Sequence, residues 1–128
     1  MTFLALIVFS LAFDLPRADA AYSCGSLSRC EDVTLKYGGA EYAASGTVYF
    51  TKGEQVSYSW DNDSPGIMQV EFYISKDGKQ VSSSLLAPRY GNNFSTFLIP
   101  SNGYYYLFAA CDGGNDDRCQ GGGMIRKF

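Results

Sequence analysis

After residue 20 the chain carries no apolar stripe at the 3.6-residue spacing of a helix; its apolar positions recur in short runs. In QVSYSW (55–60), Val56, Tyr58 and Trp60 alternate with Gln55, Ser57 and Ser59, the period of two that marks a half-buried strand. IMQVEFYIS (67–75) repeats the pattern, with Met68, Val70, Phe72 and Ile74 on one face. Asp77-Gly78 in KDGK predicts a two-residue hairpin turn, because both central positions of a type I′ turn take positive φ. Its partner strand is then QVSSSLL (80–86). VTLKY (33–37), TVYF (47–50), FSTFLI (94–99), YYYLFAA (104–110) and MIRKF (124–128) complete the set. PSNG (100–103) reads as the turn of a hairpin joining 94–99 to 104–110, and QGGG (120–123) as a break before the last strand. About eight strands at regular spacing predict an all-β chain, an antiparallel β-sandwich of jelly-roll type.

The first twenty residues read differently. MTFLALIVFSLAF has the length of a signal-peptide core, Pro16 breaks any helix, and Ala18-Asp19-Ala20 offers small residues at a cleavage site. Residues 1–20 are therefore expected to be a signal peptide, although no Lys or Arg precedes the apolar core. Residues 21–45 form an N-terminal segment with one short strand. Residues 46–128 form the sandwich, the two making one domain.

TKGEQVSYSWDN, VEFYISKDGK and FLIPSNGYYYLFAACDGG, together spanning roughly residues 46–111, resemble bacterial extracellular jelly-roll modules. Pre-peptidase C-terminal domains and some carbohydrate-binding modules share this rhythm of glycine-plus-polar turn, paired strand and a late Pro-Ser-Asn-Gly-Tyr-Tyr phrase. The resemblance implies a jelly roll and a secreted, non-catalytic role. It implies no particular binding residue.

Composition narrows the chemistry. The formal net charge is −3, with basic residues scattered singly, so there is no nucleic-acid footprint. There is no histidine, which removes the commonest general base and transition-metal ligand. The acids fall mainly in turns and loops, so no carboxylate pair stands out as glycosidase machinery. The chain is expected not to be an enzyme.

Cys24, Cys30, Cys111 and Cys119 are an even set behind an export signal, and disulfides follow. Three pairings are open. The glycines of CDGGNDDRC (111–119) favour local closure, and two local loops are expected. Within that loop Asp112, Asn115, Asp116 and Asp117 are hard oxygen donors that would suit calcium. The spacing does not match an EF-hand, and the ordinary reading is a solvated, stapled loop tip. No other cofactor is implied. A second acidic loop, Asp61-Asn62-Asp63, is expected at the same end of the sandwich.

Aromatic residues supply the remaining signal. If Val48 and Phe50 face the core, Tyr49 faces outward; by the same parity Tyr73 faces outward. YYYLFAA is apolar on both faces, so at least one of its tyrosines must be exposed or capped, and Tyr105 is placed with Tyr49 and Tyr73 on a candidate ligand face.

The function expected is a secreted, non-catalytic module that binds a glycan or a protein outside the cell or at its surface, with no membrane span after signal cleavage. One alternative is a subunit of an extracellular fibre or matrix, binding copies of itself, with the segment from Ala21 to Ser45 adding a strand to a neighbour's sheet. Another is a small secreted effector or inhibitor.

Overall fold

A computed structural model describes residues 22–128; the signal-peptide reading of 1–20 lies outside them. The strands are β1 (Cys30–Leu35), β2 (Tyr42–Ala44), β3 (Val48–Phe50), β4 (Gln55–Asn62), β5 (Val70–Lys76), β6 (Lys79–Gln80), β7 (Leu85–Ala87), β8 (Asn92–Leu98), β9 (Gly103–Cys111) and β10 (Gly121–Lys127). A single 3₁₀ turn, Asp112–Gly114, follows β9. Among the described residues, no helix is long and apolar enough to cross a membrane.

Every pairing is antiparallel. One sheet runs β1-β10-β4-β8. In the other, β9 and β5 lie at the centre; β2 and β3 share the outer edge of β9, and β6 and β7 share the outer edge of β5. Each of these outer pairs is one strand interrupted. Counted that way there are eight strands, in orders 1-8-3-6 and 2-7-4-5, which is the interleaved connectivity of a jelly roll.

Both interruptions are made by a serine. Ser45 donates its N–H to the Leu107 carbonyl at 2.9 Å, while its hydroxyl accepts the Leu107 N–H at 2.9 Å. On the opposite edge, the Ser82 hydroxyl accepts the Ile74 N–H at 2.8 Å, and the N–H groups of Val81 and Ser82 both turn to the Ile74 carbonyl. A side chain thus replaces a missing ladder partner, and the strand bends without orphaning a buried amide. QVSSSLL is accordingly two short strands rather than one. Tyr58 reaches across the core to donate its hydroxyl to the Ser83 carbonyl at 3.0 Å.

The core is as the alternation predicted: Val56, Tyr58 and Trp60 on β4, and Val70, Phe72 and Ile74 on β5, are buried. Asp77 (φ 53°) and Gly78 (φ 78°) make the expected positive-φ turn, closing Ser75 onto Gln80. The two disulfides are local, Cys24–Cys30 and Cys111–Cys119; the second is buried within the core.

Three further expectations are corrected. Residues 94–99 and 104–110 do not form a hairpin: β8 pairs with β4 and β9 with β5, so PSNG carries the chain from one sheet to the other. QGGG is not a break. Gly121, Gly122 and Gly123 open β10, paired on both sides, and neighbouring backbone and side-chain atoms leave no room for a Cβ at any of the three. A Cβ on Gly123 would stand 2.1 Å from the Ser59 carbonyl oxygen and 2.6 Å from the Trp60 ring; one on Gly122 would stand 2.3 Å from the Tyr22 ring. Finally, residues 22–45 contribute two strands, not one. β1 pairs along its whole length with β10, and β2 with β9, so this segment is consumed by its own sandwich rather than available to a neighbour.

Candidate functional site

Register decides which aromatic side chains reach the surface. β9 pairs Tyr104 with Tyr49 and Tyr105 with Val48. Directly opposed residues share a face, so Tyr105 points inward with Val48 and is fully buried, while Tyr49 and Tyr104 point outward. The placement of Tyr105 on the ligand face is therefore corrected. Its hydroxyl donates to the Ser101 carbonyl at 2.6 Å, and Lys76 lies over its ring. Tyr49 is exposed as expected, and Tyr73 lies half-buried on the outer surface.

Around these two, the second sheet presents an aromatic ridge. Tyr49 and Tyr104 meet edge to face, centroids 5.1 Å apart. Tyr42, Phe108 and Tyr73 form a second run, with centroid distances of 5.7 and 5.4 Å. Tyr106 projects between the runs from β9, and Leu86 is exposed beside Glu71. Burial, and then the nearby Glu71, Tyr106 and Tyr42, push the Tyr73 phenol above its usual value, so it remains a proton donor. Tyr42 and Phe108 escaped the sequence reading. Tyr42 sits on a strand of three residues, too short to show a period, and Phe108 joins the outer face only once the β9 register is known.

The stapled loop buttresses one end of this ridge. Gly114 (φ 95°) packs so closely on Tyr42 that a Cβ there would stand 2.3 Å from the tyrosine hydroxyl. Cys111, just before the loop, is locked by its own N–H to the Glu41 carbonyl at 2.8 Å. The loop is thus fixed against the strand that carries Tyr42.

Of its acids, Asp116 is the one held by a close partner. Asp116 accepts from the Arg118 Nε at 2.9 Å and Nη2 at 2.7 Å, and from the Arg118 N–H at 2.8 Å. Those hydrogen bonds hold its carboxyl at about 2. Asn115 donates to the Asp112 carbonyl, and Gln69 reaches the Asp112 carboxylate at 3.4 Å. Asp117 contributes its carbonyl to the Gly38 N–H. A calcium ion would have to displace the Arg118 guanidinium. Among the described residues, no three His, Cys, Asp or Glu side chains come together as a metal site. The second acidic loop does lie at this end, with Asp63 donating to the Gln120 carbonyl and Ile67 to that of Arg118. Two of its three side chains are spent: Asn62 bridges Trp60 to the carbonyls of Ala87 and Pro88, and Asp63 accepts the Tyr22 hydroxyl at 2.7 Å.

No protein-family model matches the sequence. The comparison with curated proteins returns no relative. Solved structures do show partial likeness. The secreted serine protease VesC from Vibrio cholerae aligns with a TM-score of 0.41 and 13% identity over 72% of this chain, which spans only 18% of that protein. PliG from Aeromonas hydrophila, a periplasmic inhibitor of g-type lysozyme, aligns with a TM-score of 0.42 and 13% identity, over 72% of this chain and 90% of that one. TmCBM61, solved with β-1,4-galactotriose, gives 0.35 and 13% identity, over 75% and 65%. Likeness this distant assigns no partner.

Proposed function

We propose that this chain is an exported, non-catalytic jelly-roll module that acts by contact, docking a protein partner on the tyrosine ridge of its second sheet. The observation that carries the reading is the continuity of that ridge: Tyr42, Tyr49 and Tyr104 are each exposed by 43–61%, and Tyr73, Tyr106 and Phe108 fill the space between them. Tyrosine brings broad apolar area at low entropic cost with a hydroxyl that stays wet, the composition favoured in protein interfaces. The rings are also inclined to one another by 32–65°, which makes a ridged surface rather than the coplanar platform a flat polysaccharide would need.

Export is supported by the two formed disulfides and by the lack of any free cysteine among the described residues. The non-catalytic part rests on composition, since a chain without histidine lacks the commonest proton-transfer group.

The test is affinity capture from native extracellular fluid with the wild-type protein and with a Tyr42→Ser/Tyr49→Ser/Tyr104→Ser variant of matched circular dichroism. A captured protein that is lost with the triple variant supports the reading. Equal capture by both, or binding to glycans alone on an array, overturns it.

A further inference from the structure

The opposite face of the sandwich carries a different surface. On the first sheet, β4 sends Gln55, Ser57, Ser59 and Asp61 outward, and the last three line one stretch of surface. β4 is flanked by β8, which sets Phe94 beside Ser59, and by β10, which sets Met124 beside Ser59 and Arg126 beside Ser57. Small side chains on a central strand between larger ones on both neighbours make a trough. It encloses about 420 Å³, within the range of small-ligand sites. Both flanks of β4 are already hydrogen-bonded, so no added strand can enter here; whatever fills the trough must do so through side chains.

The groups lining it converge on one chemistry. Phe94 is 72% exposed, an apolar ring offered to solvent at the wall. The hydroxyls of Ser57 and Ser59 hydrogen-bond no other described residue, and no carboxylate of the described residues lies within ion-pair distance of Arg126. Asp61 closes the far end beside Asn92. Burial and the neighbouring Asp63 raise its carboxyl above the usual range, while Asn92 opposes the shift, the signature of a half-desolvated acceptor. An aromatic face, two unspent hydroxyls and a carboxylate with an amide match the alternating apolar faces and equatorial hydroxyls of a sugar. Arg126 stands four β4 positions from Asp61, about 13 Å away, room for two rings between cation and carboxylate.

We infer that this trough is a saccharide subsite for a two-ring segment of an acidic glycan, one ring on Phe94, hydroxyls on Asp61 and the serines, and the sugar carboxylate on Arg126. The site is independent of the tyrosine ridge, on the other sheet, and neither reading needs the other.

The test is titration of the folded, disulfide-bonded protein, followed by amide chemical shifts, with cellobiouronic acid and digalacturonate and with their neutral counterparts cellobiose and galactobiose. Saturable shifts centred on residues 57–61, 94 and 124–126, with at least one acidic disaccharide binding at about 1 mM or tighter, are expected. Phe94→Ala should weaken that binding at least about tenfold. Arg126→Gln should bring the acidic sugar to the level of its neutral counterpart, and Asp61→Asn should weaken both. Phe94 and Arg126 are exposed, so these two variants leave the fold intact. No shifts with either acidic sugar, equal binding of acidic and neutral sugars, or shifts confined to Tyr42, Tyr49 and Tyr104 would overturn the inference. The triple tyrosine variant should bind as wild type, which separates failure here from failure of the ridge.

Discussion

The two outer faces of this sandwich are made by the same rule and come out opposite. On the second sheet the central strand β9 sends Tyr104, Tyr106 and Phe108 outward, and the result is a ridge. On the first, the central strand β4 sends Ser57 and Ser59 outward between Phe94 and Met124, and the result is a trough. Strand geometry is common to both; the bulk of alternate residues on one central strand sets the relief. A ridge suits a large partner surface, whereas a trough suits a ligand that can be surrounded.

Two neighbours on β9 should differ most. Tyr105→Ala removes a fully buried ring with a satisfied hydroxyl and should cost about 3–5 kcal/mol in chemical denaturation. Tyr104→Ala, one residue away, should cost under about 1 kcal/mol. Similar losses for the two would mean that the register assigning faces is wrong. Next, Gly123→Ala forces a methyl group onto the Ser59 carbonyl beneath the trough and should cost about 3 kcal/mol, read from the same denaturation curves. Gly53→Ala is the contrasting control: φ is +91° but nothing lies within 4 Å, so only backbone strain of about 1 kcal/mol is expected. Opening the Cys111–Cys119 staple with a double serine substitution should cost about 2–3 kcal/mol from the small loop it closes. Amide exchange should then rise first around Tyr42, on which the loop rests, with the trough unaffected.

The smallest effect is with pH. Glu54, paired with Arg29 and bonded to the Thr51 N–H, titrates at about 2, as does Asp116 beside Arg118. Both lie below their unfolded values of 4.5 and 3.8, so their contribution is complete above about pH 5 and disappears as pH falls toward 2. In an Asp61→Asn background, which removes the one raised carboxyl that works in the opposite sense, melting temperature should be flat from pH 7 to 5 and then decline slightly, less so in high salt, because both pairs face solvent. A melting temperature that climbs on acidification from pH 5 would contradict this.

Much of the inside of the molecule was legible along the chain, because alternation is local. Val56, Tyr58 and Trp60 could point only one way together, and Asp77-Gly78 announced its turn through backbone freedom alone. The outside was less so. Tyr49 and Tyr73 were found by parity, but YYYLFAA is apolar on both faces, so nothing in the run itself says which tyrosines are buried. Phe94 and Arg126 lie thirty-two residues apart in sequence and gave no joint signal; the trough exists only because β4 stands between their strands.

The residues alone determined an all-β chain with an alternating core and without histidine, since alternation follows from neighbours within a few positions; they left three cysteine pairings open, and the fold selected the two local ones. The tertiary structure alone decided strand partners: it sent 94–98 to β4 and 103–111 to β5, turned Tyr105 inward, drew residues 30–44 into both sheets and fitted three consecutive glycines against Trp60 and Tyr22. Pairing between distant strands is set by how whole faces pack against one another, and a period of two along one strand looks the same whichever partner lies beside it.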